Sequence, residues 1–469
     1  MSRLLRAFLP LVAILFCALS AHAQTPAASG EAAAPLHLTP AEAVDMAIRN
    51  NLHLEMARIN LDIHRRRSNL VWNQFLPTVG ATGTANRANW PTTHQGFNFD
   101  PTATPPIVPF SVTLPQWNLI GAINTELVFS FALIEGIRAI RSEYAAGRIT
   151  FERAQLQMEQ GVRKMYNGIL LLQENVILME ESYLNAQRQA DMAEASFLAG
   201  LVPRLTWLQA QVAVENMRPA VNDLRNTLQN LTGNFALLLG LPYDTPLALQ
   251  PVTFGMVFIP HDTAALISQA AVGKPDIREL RANIVTLHSQ RQALRLQNYT
   301  PFIRFGWTLT SMFDPMLDPF EEDLLNRAHW DRGGAFSLTV GMSLNSLLPF
   351  TREGQQLRDM NAALRIQNIA LAQTIRETEL EIFTMINSLE RIRVSMEVQQ
   401  ATVYLAEEAF RLTEEAFRAG LQDFMAVQNA ALALDQARLR VLTEQFNYLN
   451  YLIDLEYSLG IPFGTLSSE

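Results

Sequence analysis

The chain contains its own copy. Ala195-Ser-Phe-Leu-Ala-Gly-Leu201 resembles Glu415-Ala-Phe-Arg-Ala-Gly-Leu421, 220 residues further on. The same offset aligns Ala210 with Ala430, Ala213 with Ala433, Arg218 with Arg438, and Leu239-Gly-Leu-Pro242 with Leu459-Gly-Ile-Pro462. Upstream, Ala47 aligns with Ala271 and Pro77 with Pro301, both at 224. A repeat of this length decides the architecture before any local detail. Each half reads helix, strand, loop, strand, long helix, small-residue turn, helix, Gly-x-Pro. The first repeat is expected over 24–242: a helix at 40–75, strands at 76–88 and 118–130, a long helix at 133–199 and a helix at 203–240. The second is expected over 263–462: a helix at 263–299, strands at 301–312 and 334–346, a long helix at 352–419 and a helix at 423–459. Residues 243–262 link them, and 463–469 form a tail.

The long helices carry a seven-residue ladder. In the first half it is Val162, Ile169, Val176, Tyr183, Ala190, Phe197; in the second Ile375, Ile382, Leu389, Met396, Val403, Phe410, Phe417. A second seam lies three residues on, with Met158, Met165, Leu172, Met179, Ala186 and Ala193 in the first half. Two seams sustained over five heptads specify coiled-coil packing. Neither long segment contains proline, and about 67 residues at 1.5 Å each make a rod of roughly 100 Å. That length suits a structure crossing a periplasm. The seam methionines fill space in a core better than they would hold copper.

Four segments alternate with period two. In Phe302–Thr310, Ile303, Phe305, Trp307 and Leu309 oppose Arg304, Gly306, Thr308 and Thr310. In Ala335–Asn345, Phe336, Leu338, Val340, Met342 and Leu344 oppose Ser337, Thr339, Gly341, Ser343 and Asn345. The first-half pair is weaker: Val79, Ala81, Gly83 and Ala85, then Ile123, Thr125, Leu127 and Phe129. One apolar and one small, polar face over about ten residues is the pattern of a membrane barrel strand, although a soluble sheet can show it too. Four strands cannot close a barrel, and open edges are not tolerated in lipid. Copies must therefore share one. Two copies make eight strands with a filled lumen; three make twelve, which favours three for a conducting barrel. The segments Pro91–Pro115 and Asp314–Arg332 are expected to be surface loops.

Residues 1–23 read as a secretory signal: Arg3 and Arg6, an apolar run from Leu9 to Leu19, and a small-x-small site at Ala21-His22-Ala23. Cys17, the one cysteine, suits a lipoprotein site poorly because bulky Phe16 precedes it. Cleavage leaves 34 basic and 45 acidic residues, a balance that argues against nucleic-acid binding. No later apolar run reaches 18 residues, so any spanning segments are strands.

Together these residues resemble the TolC-like outer-membrane efflux family, from Leu38-Thr-Pro-Ala-Glu-Ala43 to Leu459-Gly-Ile-Pro462. The most specific pieces are Phe197-Leu-Ala-Gly-Leu201, Phe417-Arg-Ala-Gly-Leu421, Pro77 and Pro301. The resemblance implies a mainly α fold with a membrane β-barrel part. In it, a homotrimer forms a 12-strand outer-membrane barrel continued by a 12-helix periplasmic α-barrel. It also implies a passive conduit for small molecules in a tripartite system, with a periplasmic adaptor and an inner-membrane transporter as partners. By that analogy the hairpin tips Phe197, Ala199, Gly200, Leu201, Phe417, Ala419, Gly420 and Leu421 meet the adaptor. Equally, the glycines could serve only to permit tight turns. The family often carries aspartates after each tip; here the matching positions are Thr206, Ala426 and Asn429. Arg204 and Asp423 form a candidate replacement gate pair, the alternative being solvated loop charges.

The eight histidines lack metal-ligand spacing, and Glu407-Glu408 and Glu414-Glu415 read as solvated helix faces. There is no phosphate loop, dinucleotide fingerprint or nucleophile elbow. No catalytic, cofactor or metal site is expected. Two other functions fit the same pattern: the outer-membrane conduit of a type I protein secretion system, and a trimeric coiled-coil adhesin.

Overall fold

The computed structural model describes residues 35–90, 93–113, 117–251, 262–313, 330–345, 348 and 350–466. The signal segment 1–23, most of the loop from Asp314, half of the 243–262 linker and the end of the tail lie outside the described residues.

The first repeat opens with a short strand, β1 (Leu36–Leu38), and helices α1 (Pro40–Asn50) and α2 (Leu52–Asn69). A 3₁₀ turn follows at Val71–Phe75. Thr39 starts α1 with a capping box: its hydroxyl accepts from the Glu42 amide at 3.2 Å, and its own amide donates to Glu42 at 2.8 Å. The single helix expected at 40–75 is therefore broken. Asn51 takes an extended backbone (φ −69°, ψ 126°) and caps α2 through the amides of His53 and Leu54. The second repeat breaks at the matching place. Helix α5 (Thr263–Gly273) gives way at Lys274 to α6 (Pro275–Tyr299), because Pro275 disfavours helical backbone in the residue before it. Both short helices have 11 residues, and their N-caps, Thr39 and Asp262, are 223 apart. Ala47 thus pairs with Ala270, both fully buried, and not with Ala271.

Strand β2 (Thr78–Arg87) and strand β5 (Trp117–Ser130) flank a segment expected to be a loop. It folds into its own hairpin, β3 (Thr93–Phe99) with β4 (Ile107–Thr113), in which the Phe110 ring lies over Gly96. The second repeat supplies β7 (Phe302–Phe313) and β8 (Trp330–Gly341). The expected strand 334–346 is displaced toward the N-terminus. Its pairing with β7 runs from Phe313↔Trp330 to Phe302↔Gly341, so Met342 and Leu344 have no partner strand.

The four long strands make one antiparallel sheet in the order β2-β5-β7-β8, with β2 and β8 unpaired on their outer sides. Register puts Val79, Ala81, Ile123, Leu127, Phe129, Ile303, Phe305, Trp307, Leu309, Phe336, Leu338 and Val340 on one face. Thr78, Gly80, Thr82, Asn124, Glu126, Arg304, Thr308, Ser337 and Thr339 share the other. Among the described residues most of the apolar face is bare, with Phe313 at its far rim buried: Phe336 is 86% exposed and stacks on Trp307 at 5.9 Å.

Below the sheet run four more helices, α3 (Phe131–Leu198), α4 (Arg204–Leu238), α7 (Arg352–Arg418) and α8 (Phe424–Leu459). Helix α3 packs against α2 and α6 over its sheet-ward half and against α4 and α8 beyond; α7 packs against α6 and α8. The predicted ladders are buried in their middle rungs, Val162, Ile169 and Val176 on α3 and Ile382, Leu389 and Met396 on α7. Each buried Ile or Leu contributes about 1.5–3 kcal/mol. Two cores mark the waist, one around Tyr166 and Phe235, the other around Ile392 and Tyr448.

The waist also holds a short strand pair, one strand of which falls in the segment 243–262 expected to link the repeats. β6 (Leu247–Leu249) pairs in parallel with β1. The buried Tyr166 hydroxyl sits 2.8 Å from the Leu38 carbonyl and 2.7 Å from that of Gln250, tying this ribbon to α3. The tail is fixed differently. The Glu456 carboxylate accepts from the Gly464 and Leu466 amides at 2.9 and 2.8 Å. Burial pushes this carboxyl above its ordinary value, and the two amides partly offset that. The repeats are joined by polar contacts from α3. Arg153 bonds Asp276 at 2.9 Å and also Glu279, Glu152 takes Arg278 in a two-pronged pair, and Lys164 meets Asp454 at 2.8 Å.

Candidate functional site

At the end far from the sheet, α3 turns into α4 and α7 into α8. The two turns are built alike. Gly200 and Gly420 both sit at φ 73°, a left-handed conformation that glycine adopts without strain. Gly200 donates to Phe197 O at 2.9 Å and Leu201 to Ser196 O at 2.9 Å; Gly420 donates to Phe417 O and Leu421 to Ala416 O at 2.9 and 2.8 Å. This paired bonding is the Schellman arrangement, which satisfies the last carbonyls of each helix. It leaves the following leucine pointing outward: Leu201 and Leu421 are each 78% exposed.

The expected contact residues divide into two groups. Ala199, Gly200, Leu201, Ala419, Gly420 and Leu421 are exposed. Phe197 and Phe417 are half-buried and hold the hairpins shut. Phe197 stacks on Trp207 with centroids 5.6 Å apart, and Phe417 meets Phe424 edge-on at 6.2 Å. Beneath them Ala193, Ala210 and Phe424 form a small core. Sequence reading missed Leu198, which is 77% exposed beside the first tip. Its place off both seams was the signal.

The gate pair Arg204–Asp423 is not made within one chain. Asp423 is instead the N-cap of α8, accepting from the Ala426 amide at 2.8 Å. The first tip uses Pro203 at that place, with no side-chain cap. Asp423 therefore has a local structural job that its neighbour in the other repeat lacks. Further up, Ser182 Oγ donates to Asp435 at 2.6 Å across the α3–α8 seam, where burial raises the Asp435 carboxyl above its ordinary value.

Among the described residues no three His, Cys, Asp or Glu side chains gather as a metal site, and no helix is long and apolar enough to cross a membrane. The surface suited to lipid is the largely bare apolar face of the sheet. Its far rim carries Trp117, Phe313 and Trp330, with the Arg87 guanidinium over Trp117 at 5.7 Å. Aromatic and basic groups at a rim suit a membrane interface.

Residues 43–241 match the model of the family described as outer membrane efflux protein. Over those residues the chain is similar to that family. Solved structures extend the likeness over both repeats. The CusC channel is 17% identical, covers 95% of this chain and 100% of its own, and superposes with a TM-score of 0.70. The CmeC outer membrane channel of Campylobacter jejuni is 16% identical over 92% of this chain and 87% of its own, TM-score 0.70. The outer membrane protein VceC of Vibrio cholerae is 16% identical over 90% and 96%, TM-score 0.69. No curated protein sequence matches the chain significantly. At these identities the structures establish the fold alone: a four-stranded sheet continued by long helices.

Proposed function

We propose that three copies of this chain assemble into a passive efflux conduit through the outer membrane, docked at its helical tips onto a periplasmic adaptor and through it onto an inner-membrane transporter. The observation that carries this reading is the four-stranded sheet, apolar on one face and unpaired at β2 and β8. In lipid, an unpaired strand edge exposes backbone groups that each cost several kcal/mol. Joining the β8 edge of one copy to the β2 edge of the next removes all of them at once, and three copies give twelve strands around an open lumen. The helices support the same closure. The outer flank of α7 carries exposed Ile366, Ile369, Leu380 and Phe383, a stripe suited to a neighbouring copy. CmeC is described as an outer membrane channel, which supports the conduit over an adhesin. Selectivity for cargo would rest with the pump, since an open lumen discriminates weakly.

The tips are the proposed docking points because they expose Leu198, Leu201 and Leu421, which no described residue covers. The paired substitution Leu201→Ser, Leu421→Ser is expected to leave assembly and bilayer conductance intact while reducing efflux in cells at least tenfold. Crosslinking from a cysteine at Ala199 to co-expressed periplasmic proteins reads docking directly. Full efflux by the double variant would remove the tips from the docking surface.

A further inference from the structure

The polar face of the sheet is nearly free of charge. Among the described strand residues on that face the charged side chains are Glu126, Arg304 and, at the far rim, Asp331. The rest are Thr, Ser, Asn, Gly, Ala and a few apolar groups. Arg87 and Arg332 have the opposite parity and face the lipid side. Glu126 and Arg304 stand together at the helical end of the sheet. Glu126 is four residues before the strand ends at Ser130, and Arg304 is the third residue of β7. Arg304 Nε lies 3.0 Å from Glu126 Oε1, and both side chains are close to half exposed. The Phe302 ring, lying across Gly341, props the guanidinium at 5.5 Å. Around the pair the register places Thr78, Gly306, Ser337 and Thr339, which are too small to screen it from the open space in front of the sheet.

The pair also breaks the internal duplication. At the offset of 224 that aligns Pro77 with Pro301, the counterpart of Arg304 is Gly80. One repeat supplies the acid and the other the base, so the pair is not a by-product of copying a strand.

We propose that Glu126 and Arg304 form a charge-balanced ring at the junction of barrel and helical tunnel, and that this balance sets the barrel segment's indifference to ion sign. The inference rests on the conduit reading. Three copies would place three carboxylates and three guanidiniums at one level of the lumen. Charged rings decide which ions cross a pore, because a ring of one sign raises the local concentration of counter-ions and repels co-ions. A balanced ring does neither. Neutralising one partner would leave three like charges at the throat. Such an exposed, solvent-screened pair adds little to stability, so the substitutions act on permeation more than on folding.

The test is the reversal potential of the purified channel in planar bilayers under a KCl gradient at low salt, where screening is weakest. Glu126→Gln is expected to shift the chloride-to-potassium permeability ratio up by about twofold or more, and Arg304→Gln to shift it down by a similar factor. The double variant and the swap Glu126→Arg, Arg304→Glu are both expected to sit near the wild type. Should a single neutral variant fail to assemble, Glu126→Cys labelled after assembly with a negatively charged methanethiosulfonate restores wild-type selectivity, while a positively charged reagent moves it toward anions. Conductance with unchanged selectivity in every variant overturns the ring. No conductance from the wild type overturns the conduit reading instead, and the two failures are distinguishable.

Discussion

The chain makes the same helix-ending turn four times, and the four fall into two unlike pairs. Gly200 and Gly420 end the long helices at the tips; Gly240 and Gly460 end α4 and α8 at the waist. All four glycines are left-handed, with φ between 68° and 77°. All four show the same pair of reverse bonds. The surroundings differ completely. A Cβ at either tip glycine would meet nothing within 4 Å. At Gly240 it would strike the Asn50 carbonyl at 2.6 Å, and at Gly460 it would run into the backbone of Gly273. Local sequence specifies the turn in both places. Only at the waist does tertiary packing also demand glycine, because α1 and α5 end there against the closing turn. The waist is a joint where backbones touch. The tips are left bare for something else to touch.

Breaking the turns separately should expose that contrast. Gly460→Ala combines left-handed strain with a backbone collision and should cost about 3–4 kcal/mol, read as a large drop in melting temperature and loss of assembled oligomer. Gly420→Ala meets strain alone and should cost about 1–2 kcal/mol, with assembly intact. Equal losses from the two variants would refute the contrast.

A smaller effect is expected from Tyr166→Phe at the waist. The hydroxyl has one proton for two carbonyls, and the Leu38 carbonyl also accepts from the Gln250 amide at 3.1 Å, so removing the hydroxyl leaves one carbonyl short of a donor, a loss of about 1–3 kcal/mol. Hydrogen exchange should then quicken in residues 36–38 and 247–249 and stay unchanged at the tips. The smallest effect concerns Glu456. Its folded-state carboxyl holds its proton above the ordinary 4.5. The folded chain therefore binds more protons than the unfolded one in the window just above that value, and stability falls as pH rises through it. Glu456→Gln should lack this slope, which paired melts from pH 4 to 7 would detect, each reported as the difference between variant and wild type.

Much of this was legible in the sequence. The repeat, the two ladders, the four alternating strands and the two tips are periodic, and periodicity survives without a structure. What was missed has several causes, none of them periodic. Breaks within a helix, such as Asn51, depend on a single side chain turning back to cap, which no ladder reveals. Gly273-Lys274-Pro275 did carry a visible break, but the surrounding helical pattern overrode it. The β1–β6 ribbon pairs three residues with three others more than 200 positions away, too short a run to show alternation. The β8 boundaries followed the partner strand and not the hydrophobic pattern, which continues to Leu344 after pairing has stopped. Among the candidate site residues, exposure separated Leu201 and Leu421 from Phe197 and Phe417, although all four sit in the same motif. Arg204 and Asp423 were paired because each follows the tip of its own repeat; within one chain Asp423 caps its own helix instead.

The β1–β6 ribbon bears on the order in which the chain can take shape. Its two strands, and the tyrosine that clamps them, are all present once residue 250 has emerged. The hydrophobic cluster beneath them draws one flanking side chain from the second repeat, Phe446, among the described residues. A chain threaded across a membrane from its N-terminus can thus fasten its first half into a closed loop while the second half is still in transit. The finished half then offers α3 and β5 as a template on which the later half is laid.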